Sequence, residues 1–336
     1  MTETSTDTHV DHPSHAKPGI KAFPDRLYVV TAISNPVRYR RRYELYRAFE
    51  KQMRDSGAIL YTAELAFGGR EFEISEAHNP RHLQLRSAHE LWHKENMLNL
   101  LLARLPSDWK YVAWIDADVT FARPEWAQET LQALQHYQVV QPWSMSMDLG
   151  PEGEVVPDAS GGETLPSMLH QYVEGQGWDL DPQIYYSKRA GHSGYAWAAR
   201  REAIDTLGGL MDVSILGAND HHMARALLGD VKNSVNPAMG ANFKAALDDW
   251  QERAALLKRN VGYVPGTIFH HWHGAKKNRR YLDRWKILVE NAYDPLKDIK
   301  RDAQGLYQLA GNKIGLRDDI RAYFRQRNED SIDVPE

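Results

Sequence analysis

The sequence of 336 residues predicts an α/β fold, with a mostly parallel central sheet flanked by helices. The first observation is that roughly the first 120 residues alternate between strand and helix patterns, as doubly wound parallel sheets do. The second is a run of five apolar or aromatic residues, Tyr111–Ile115, which predicts a strand covered on both faces. The third is the pair Asp116 and Asp118 directly after that strand. Ligands of open α/β sheets bind beyond the carboxyl ends of strands, so we expect a site there.

The elements before the aspartates follow from local patterns. A polar stretch, residues 1–24, has no apolar segment and is expected to be a disordered leader. The next elements are a strand at 27–33, a turn at 34–36, a helix rich in Arg and Tyr to residue 53, a strand at 58–65, and a helix opened by a capping box at 87–90 and running to 105.

The second half continues the pattern less regularly. We expect a strand at 138–142, a mobile loop rich in Gly, Pro and Asp at 148–163, a strand at 194–199, a helix from 201, a helix at 221–228 and a last strand at 263–271. Residues after 276 are charged and helical in pattern. The predicted organisation is therefore a main domain over 25–275 and a helical C-terminal extension over 276–336.

Composition excludes several classes of protein. Hydrophobic residues make up 42% and charged residues 26%, as in ordinary soluble globular proteins. No apolar run approaches the roughly 20 residues that span a bilayer. The absence of cysteine excludes disulfides and thiolate zinc sites and leaves the redox compartment open, with the cytoplasm as the expected location. A net charge of -4 does not favour a nucleic-acid binder, although a local basic strip remains compatible with it.

Asp116 and Asp118 are the first candidate site. Two acids at the end of a buried strand need a neutralising cation if they stay in a dry environment. An oxygen-rich pair suits Mg²⁺ or Mn²⁺ bound to a diphosphate. The alternative is that both acids are solvated in a loop or cap a helix.

Two polar segments precede the aspartates. The exit of the first strand, residues 31–36, is followed by Arg38, Arg40, Arg41 and Arg42, which either face phosphates of a nucleotide or form a solvated helix face. No Gly-rich dinucleotide or P-loop motif is present. In residues 92–99, Asn96 and Asn99 share one side of a helix that leads toward the aspartates, while Lys94 and Glu95 are expected to face solvent.

Two further segments follow the aspartates. Asn219 and Asp220 open a predicted helix, so Asp220 is either a cap or a general base for an acceptor hydroxyl. His270, His271 and His273 follow a strand, and strand alternation predicts that His271 and His273 share a face while His270 points away. One of them completes a metal site with Asp118, or all are ordinary core and surface residues. The cations at positions 276, 277, 279 and 280 suit a diphosphate leaving group.

The order of these pieces resembles GT-A-type glycosyltransferases, close to the family 2 group of phages and bacteria. The resemblance covers residues 27–290 and includes the D-x-D of Asp116 and Asp118. It implies a catalytic domain that binds a nucleotide-sugar, expected to be a UDP-sugar, with Mn²⁺ or Mg²⁺. The implied roles are the following: Asp118 as metal ligand; Asp116 as ligand of ribose or metal; His271 or His273 as a further metal ligand; Asp220 as base of an inverting reaction; Thr31, Asn35, Glu64 and Asn99 in the nucleotide pocket; Lys276 at the diphosphate; Gly194 and Trp197 around the sugar or acceptor. One departure is that Asn219 stands where the usual base motif has a second acid.

Three other functions stay open on sequence. A nucleotidyltransferase shares a similar sheet and acidic site, but usually has a Gly-rich loop where this chain has Ser34, Asn35 and Pro36. A metallohydrolase built on the three histidines and Asp220 would bind zinc without a nucleotide. A carbohydrate-binding module would use the tryptophans. The acceptor is a glycan, a protein hydroxyl or a hydroxymethylated DNA base. For DNA, the basic strip at 276–280 would follow the phosphate backbone together with a tail face of Lys313, Arg317, Arg321 and Arg325; the alternative is that this face is only solvated.

Overall fold

The computed structural model describes residues 25–157, 161–175, 191–281 and 283–333. The predicted leader lies outside the described residues, as does part of the predicted loop at 148–163. The strands are β1 Leu27–Ser34, β2 Ile59–Phe67, β3 His82–Ser87, β4 Tyr111–Ile115, β5 Val119–Phe121, β6 Val139–Gln141, β7 Met145–Asp148, β8 Leu165–Pro166, β9 Ala196–Arg200, β10 Val261–Tyr263, β11 Thr267–His270, β12 Ile299–Arg301 and β13 Tyr307–Leu309.

Helices cover both faces of the sheet and extend to the end of the described chain. They are α1 Arg40–Asp55, α2 Lys94–Leu102, α3 Trp126–Ala133, α4 Met168–Val173, α5 Arg201–Leu207, α6 Asn219–Leu227, α7 Ala241–Ala255, α8 Arg284–Glu290 and α9 Ile314–Gln326, with short 3-10 helices at Val231–Ser234 and Lys276–Arg279. Among these helices, none combines the length and the apolar character needed to cross a bilayer.

The central sheet has the strand order β10-β6-β9-β4-β1-β2-β3. All neighbours are parallel except β9, which runs antiparallel to both β4 and β6. The predicted fold class, a mostly parallel α/β sheet flanked by helices, is therefore confirmed. Alternate residues of β1 enter two separate apolar clusters, Val30 on one face and Val29 on the other, which explains why its sequence is apolar throughout.

A second, smaller sheet has the order β5-β11-β7-β8. Its strand β11 runs antiparallel to β5 and parallel to β7, so His270 lies opposite Val119 on one side and Asp148 on the other. Because β5 begins directly after Asp118, this sheet brings the histidine segment to the carboxyl end of β4.

Three sequence predictions of local structure need correction. The capping box at 87–90 is wrong: Ser87 ends strand β3, its Oγ accepts a hydrogen bond from the His89 amide at 2.9 Å, and the helix begins only at Lys94. The predicted loop from 148 begins with a strand that includes Asp148. The C-terminal extension is not wholly helical, because β12 and β13 form a hairpin between α8 and α9. Residues of this extension, such as Trp285 and Ile320, join the same apolar cluster as α2.

Candidate functional site

A cavity of about 440 Å³ opens at the carboxyl ends of β1 and β4. Its walls come from the exit of β1, the start of α2, the turn after β4, residues 191–195, the start of α6, the histidine segment and the chain around α9. The position agrees with the general rule for open α/β sheets. Polar residues from distant parts of the sequence therefore converge on one concave surface.

Asp118, His270 and His273 form a group able to hold a metal ion. Their candidate ligand atoms all lie within 4.8 Å of one another. His273 Nε2 is 3.0 Å from Asp118 Oδ2 and 3.2 Å from His270 Nε2. Asp118 Oδ1 is buried and has no hydrogen-bond partner among the described residues. The group therefore fits a divalent cation, and its two imidazoles suit Mn²⁺ or another transition metal better than Mg²⁺.

The electrostatics of the group keep Asp118 and His270 in the protonation states that metals require. Burial alone would raise the pKa of the Asp118 carboxyl, but His273, His270 and Arg279 hold it well below its usual range. Burial lowers the pKa of His270 to about 4, so its imidazole is neutral at pH 7. Arg279 Nη2 lies 3.0 Å from His273 Nε2, and a cation bound to that nitrogen would replace this contact.

Asp148 contacts the ring nitrogen of His270 that faces away from the metal-binding group. It was not predicted as a site residue. His270 Nδ1 and Asp148 Oδ1 are 2.7 Å apart, and Lys276 Nζ contacts the other carboxylate oxygen. A carboxylate on the outer ring nitrogen fixes the tautomer of a ligand histidine and leaves Nε2 for the metal. The sequence signal was weak because the pairing depends on β7 lying beside β11, strands separated by more than a hundred residues in the chain.

Of the two histidines that the resemblance implied as metal ligands, His271 lies outside the metal-binding group, and the predicted strand alternation does not hold here. Its backbone amide donates to the Asp118 carbonyl at 2.8 Å, and its ring Nε2 is 2.8 Å from Thr120 Oγ1. The alternation fails because β11 ends at His270 and the chain then turns. The turn brings His270 and His273, three residues apart, to face each other.

Asp116 also lies outside the metal-binding group. Lys94 Nζ is 2.5 Å from Asp116 Oδ1 and 3.9 Å from Glu95 Oε1. Lys94 was expected to face solvent, yet only 19% of its side chain is exposed and it lines the cavity. Burial alone would lower the pKa of Lys94, but the carboxylates of Asp116 and Glu95 raise it above its ordinary value. The Lys94 ammonium therefore pairs with the first acid of the D-x-D and opposes the rise in pKa that burial imposes on Asp116.

Asp220 lies in the first turn of α6 and lines the same cavity. Its Oδ1 accepts a hydrogen bond from the adjacent His221 amide at 2.8 Å, and no side chain caps the helix at Ala218. Burial alone would raise the pKa of Asp220, but Lys94, with a smaller contribution from Arg284, lowers it below its ordinary value. The carboxylate is therefore ionised and able to accept a proton.

Glu95 contacts Asn219, the residue next to Asp220 at which the resemblance expected a second acid. Its Oε2 accepts a hydrogen bond from Asn219 Nδ2 at 2.9 Å, and Asn219 Oδ1 accepts one from the Ser214 amide. Glu95, expected to face solvent, is only 2% exposed. A carboxyl group of α2 therefore lies against the first residue of α6, a contact that no linear motif reveals.

The segment before β9 forms the wall next to Asp220. A Cβ built on Gly194 would lie 2.8 Å from Asp220 Oδ2 and 2.9 Å from His192 Cε1, so only glycine leaves this space open. His192 stacks on Tyr195 with ring centroids 3.9 Å apart. Trp197, predicted to shape the pocket, is instead a buried residue that donates to the Ser193 carbonyl and stacks on Trp114.

Five residues were predicted to bind the donor besides the two aspartates, and the structure separates them into two groups. Asn35 and Lys276 line the cavity. Thr31, Glu64 and Asn99 are described residues that do not line it. Their polar atoms instead make hydrogen bonds to the backbone. Thr31 donates to the Ile115 carbonyl, and Glu64 accepts from three backbone amides at 73–75. Asn99 bonds both the amide and the carbonyl of Leu210. Asn35 also closes its own turn through Tyr39.

The basic tail face does not form an isolated positive strip. Lys313 pairs with Asp298 at 2.7 Å, Arg317 with Asp318 at 2.8 Å, and Arg325 with Glu90 at 2.6 Å. Three cations of this face therefore have an acid within hydrogen-bond distance, and the fourth, Arg321, has Nε 3.9 Å from Glu90 Oε1. These acids reduce the attraction of the face for a nucleic-acid backbone.

Several solved structures align with much of this chain at low sequence identity. The catalytic domain of Drosophila β1,4-galactosyltransferase 7, solved with xylobiose, aligns over 86% of this chain and 96% of that chain, with 10% identity and a TM-score of 0.37. TarS from S. aureus aligns over 60% of this chain and 55% of that chain, with 11% identity and a TM-score of 0.34. The 4-diphosphocytidyl-2C-methyl-D-erythritol synthase from Anaerococcus prevotii aligns over 72% and 87%, with 11% identity and a TM-score of 0.32.

No protein-family model matches the sequence, and no curated protein is significantly similar to it. Because the TM-scores to solved structures are low, the fold class rests on the strand order and pairing described above.

Proposed function

We propose that this protein is a metal-dependent glycosyltransferase that moves a sugar from a nucleotide-sugar, expected to be a UDP-sugar, to an acceptor hydroxyl. The observation that carries the proposal is the single cavity that holds both a cation-binding group and an ionised carboxylate on another wall. Asp118, His270 and His273 would hold the cation, and Asp220 would act as the base. Mn²⁺ is favoured over Mg²⁺ by the two imidazoles.

Each group has a defined task in this reaction. The acceptor oxygen attacks the anomeric carbon, the bond from that carbon to the diphosphate oxygen breaks, and Asp220 accepts the proton of the hydroxyl. A bound cation would act as a Lewis acid for the negative charge of the departing diphosphate. Lys276 lines the cavity beside Asp148, and Arg279 lines it beside His273, so both cations can face the same anion. Attack from the side of Asp220 predicts inversion of the anomeric configuration.

The acceptor is proposed to be a glycan rather than modified DNA. Of the tail cations expected to follow a phosphate backbone, Lys313, Arg317 and Arg325 are each paired with an acid, and Arg321 lies 3.9 Å from Glu90. A neutral acceptor needs no such strip. The DNA alternative predicts transfer to hydroxymethylated DNA that weakens steeply with salt.

A donor panel tests the proposed reaction. The full-length protein is incubated with nucleotide-sugars, Mn²⁺ and candidate glycans or hydroxymethylated DNA, and the products are identified by mass spectrometry. We expect release of a nucleoside diphosphate together with a glycosylated product, abolished by chelation and by Asp118→Asn. The surface variant Asp318→Asn, which removes an exposed carboxylate paired with Arg317, is the matched control.

Other products would overturn the proposal in recognisable ways. Release of pyrophosphate from a nucleoside triphosphate would indicate a nucleotidyltransferase. Zinc-dependent hydrolysis without any nucleotide requirement would indicate a metallohydrolase. A product with retained anomeric configuration would refute Asp220 as the base of an inverting reaction.

A further inference from the structure

The chain after α9 returns to the cavity. Residues 327–331, here called the C-terminal segment, pack against the turn that follows His273. A Cβ on Gly274 would lie 2.7 Å from the Asn328 carbonyl oxygen and 2.9 Å from Glu329 Cα, and Gly274 has a φ of +82°. Glycine is therefore required there both by the close approach and by the backbone conformation.

The C-terminal segment is also fastened to the start of α1. The Asp330 carboxylate accepts hydrogen bonds from the amides of Arg40 and Arg41 at 3.0 and 2.9 Å, and so caps a helix whose own N-cap residue, Tyr39, provides no side-chain cap. Tyr39 Oη accepts from the Asn328 amide at 2.9 Å. These bonds give the segment a fixed position that its location near the end of the sequence does not predict.

Glu329 is the residue of this segment that reaches the metal-binding group. It is only 1% exposed and lines the cavity. Its carboxylate pairs with Arg42, through Nη2 at 2.8 Å, and with Arg327, through Nε at 2.5 Å. Its Oε2 lies 3.7 Å from His273 Nδ1, a buried nitrogen that has no hydrogen-bond partner among the described residues.

We propose that Glu329 is the positioning residue for His273, so that the C-terminal segment is an integral part of the metal site. The inference rests on the proposed function, because it assumes that His273 binds the cation through Nε2, the nitrogen that faces Asp118. Glu329 attracts the proton to Nδ1 and leaves the Nε2 lone pair for the cation.

The arrangement around His270 supports this role. There the outer nitrogen, Nδ1, contacts Asp148, and Asp148 is held by Lys276. At His273 the outer nitrogen faces Glu329, and Glu329 is held by Arg42 and Arg327. Both histidines thus face a carboxylate on the side away from the metal-binding group, and each carboxylate has its own cation. Outer carboxylates of this kind commonly change metal affinity by about 10- to 100-fold.

The test compares Mn²⁺ affinity in the full-length protein. The dissociation constant for Mn²⁺ is measured without substrate, by electron paramagnetic resonance of free Mn²⁺, for the wild type, Glu329→Gln and Asp298→Asn. Asp298 is an equally buried carboxylate that pairs with Lys313 away from the cavity, so its variant controls for loss of a buried ion pair. The melting temperature of each metal-free protein is measured in parallel.

We expect Glu329→Gln to weaken Mn²⁺ binding about tenfold or more, with Asp298→Asn unchanged. Two results would overturn the role of Glu329: wild-type affinity in Glu329→Gln while Asp118→Asn binds no Mn²⁺, or equal losses in the Glu329 and Asp298 variants. Absence of Mn²⁺ binding in the wild type would overturn the metal-dependent function as well, which separates the two failures.

Discussion

Asp220 is ionised because the positive charges around it outweigh the effect of burial. Burial alone would raise its pKa, and the Lys94 ammonium, with a smaller contribution from the Arg284 guanidinium, opposes that rise. A base must be free of its proton before the acceptor arrives, so these neighbours prepare it for its role. Lys94 Nζ also lies 2.5 Å from Asp116 Oδ1, so the same ammonium acts on both Asp116 and Asp220.

Asp220→Asn tests the base directly. An amide of nearly the same shape cannot accept the proton, so kcat should fall by about 10²- to 10⁴-fold while the KM for the donor changes little. Steady-state rates with saturating donor and acceptor provide the measurement, with Asp318→Asn as control. An unchanged kcat would assign the base to another residue.

Gly194→Ala tests the space beside the base. The added methyl group would come within 3 Å of both Asp220 Oδ2 and His192 Cε1, so one of them must move. We expect a large loss of kcat/KM for the acceptor with little change in donor binding. Gly69→Ala, where no atom lies within 4 Å of the new Cβ, is the matched control. Equal activity of the two variants would contradict the proposed acceptor position.

Glu95 links the site to the pH dependence of stability. Burial raises its pKa to about 7, against the opposing charge of Lys94, from an unfolded value of 4.5. The native state therefore binds the extra proton between these values, and this group favours folding at low pH and loses that contribution as pH rises through 7. Glu95→Gln removes the titration and keeps the acceptor for Asn219.

We therefore expect the stability of Glu95→Gln relative to wild type to increase between pH 5 and pH 8, by up to about 3 kcal/mol. Urea unfolding at the two pH values gives the two free energies of unfolding. If the free energies of unfolding of Glu95→Gln and the wild type differ by the same amount at both pH values, Glu95 keeps an ordinary pKa.

At the scale of elements, the sequence predicted what depends on local pattern. Strands β1, β2 and β4 were predicted because apolar runs on a doubly covered sheet are continuous and easily seen. Strand β3 was missed because its pattern of alternating polar and apolar residues, with Arg86 exposed, is that of an edge strand that is only half covered.

The candidate site divides in the same way. Asp118 lies just after a predicted strand and Asp220 at the start of a predicted helix, and both line the cavity. Strand alternation predicted that His271, and not His270, lies on the same side as His273. The prediction is wrong because the end of β11 cannot be located to one residue from sequence, and a shift of one residue reverses the face. Asp148, Glu95 and Glu329 reach the site only through tertiary contacts, so no local pattern identifies them.

Helix α9 tests whether the C-terminal extension stabilises the main domain. Ile320 is completely buried and belongs to the apolar cluster that includes α2. Ile320→Ala should lower the free energy of unfolding by about 2–5 kcal/mol. Ile314→Ala, at an exposed position in the same helix, should leave it nearly unchanged. Calorimetry measures both free energies of unfolding. A separate melting transition for the C-terminal extension would contradict its packing against the main domain in one apolar cluster.

At the scale of the whole molecule, the cavity is assembled from both ends of the described chain. The first strand provides one wall, the two sheets bring the aspartates to the histidines, and the segment after α9 closes the side next to His273. Polar segments from distant parts of the sequence thus meet at one edge of the sheet, at the carboxyl ends of β1 and β4. We expect Asp118, His270 and His273 to hold a cation that binds the diphosphate of the donor.

Donor binding measured with and without the cation tests that claim most directly. Isothermal titration of a UDP-sugar is carried out with Mn²⁺ or with chelator, in the wild type and in Asp118→Asn. We predict that chelation and the substitution each weaken binding by at least about tenfold, and that their effects do not add, because both remove the same interaction. Donor affinity that is unaffected by chelation and by Asp118→Asn would contradict the account.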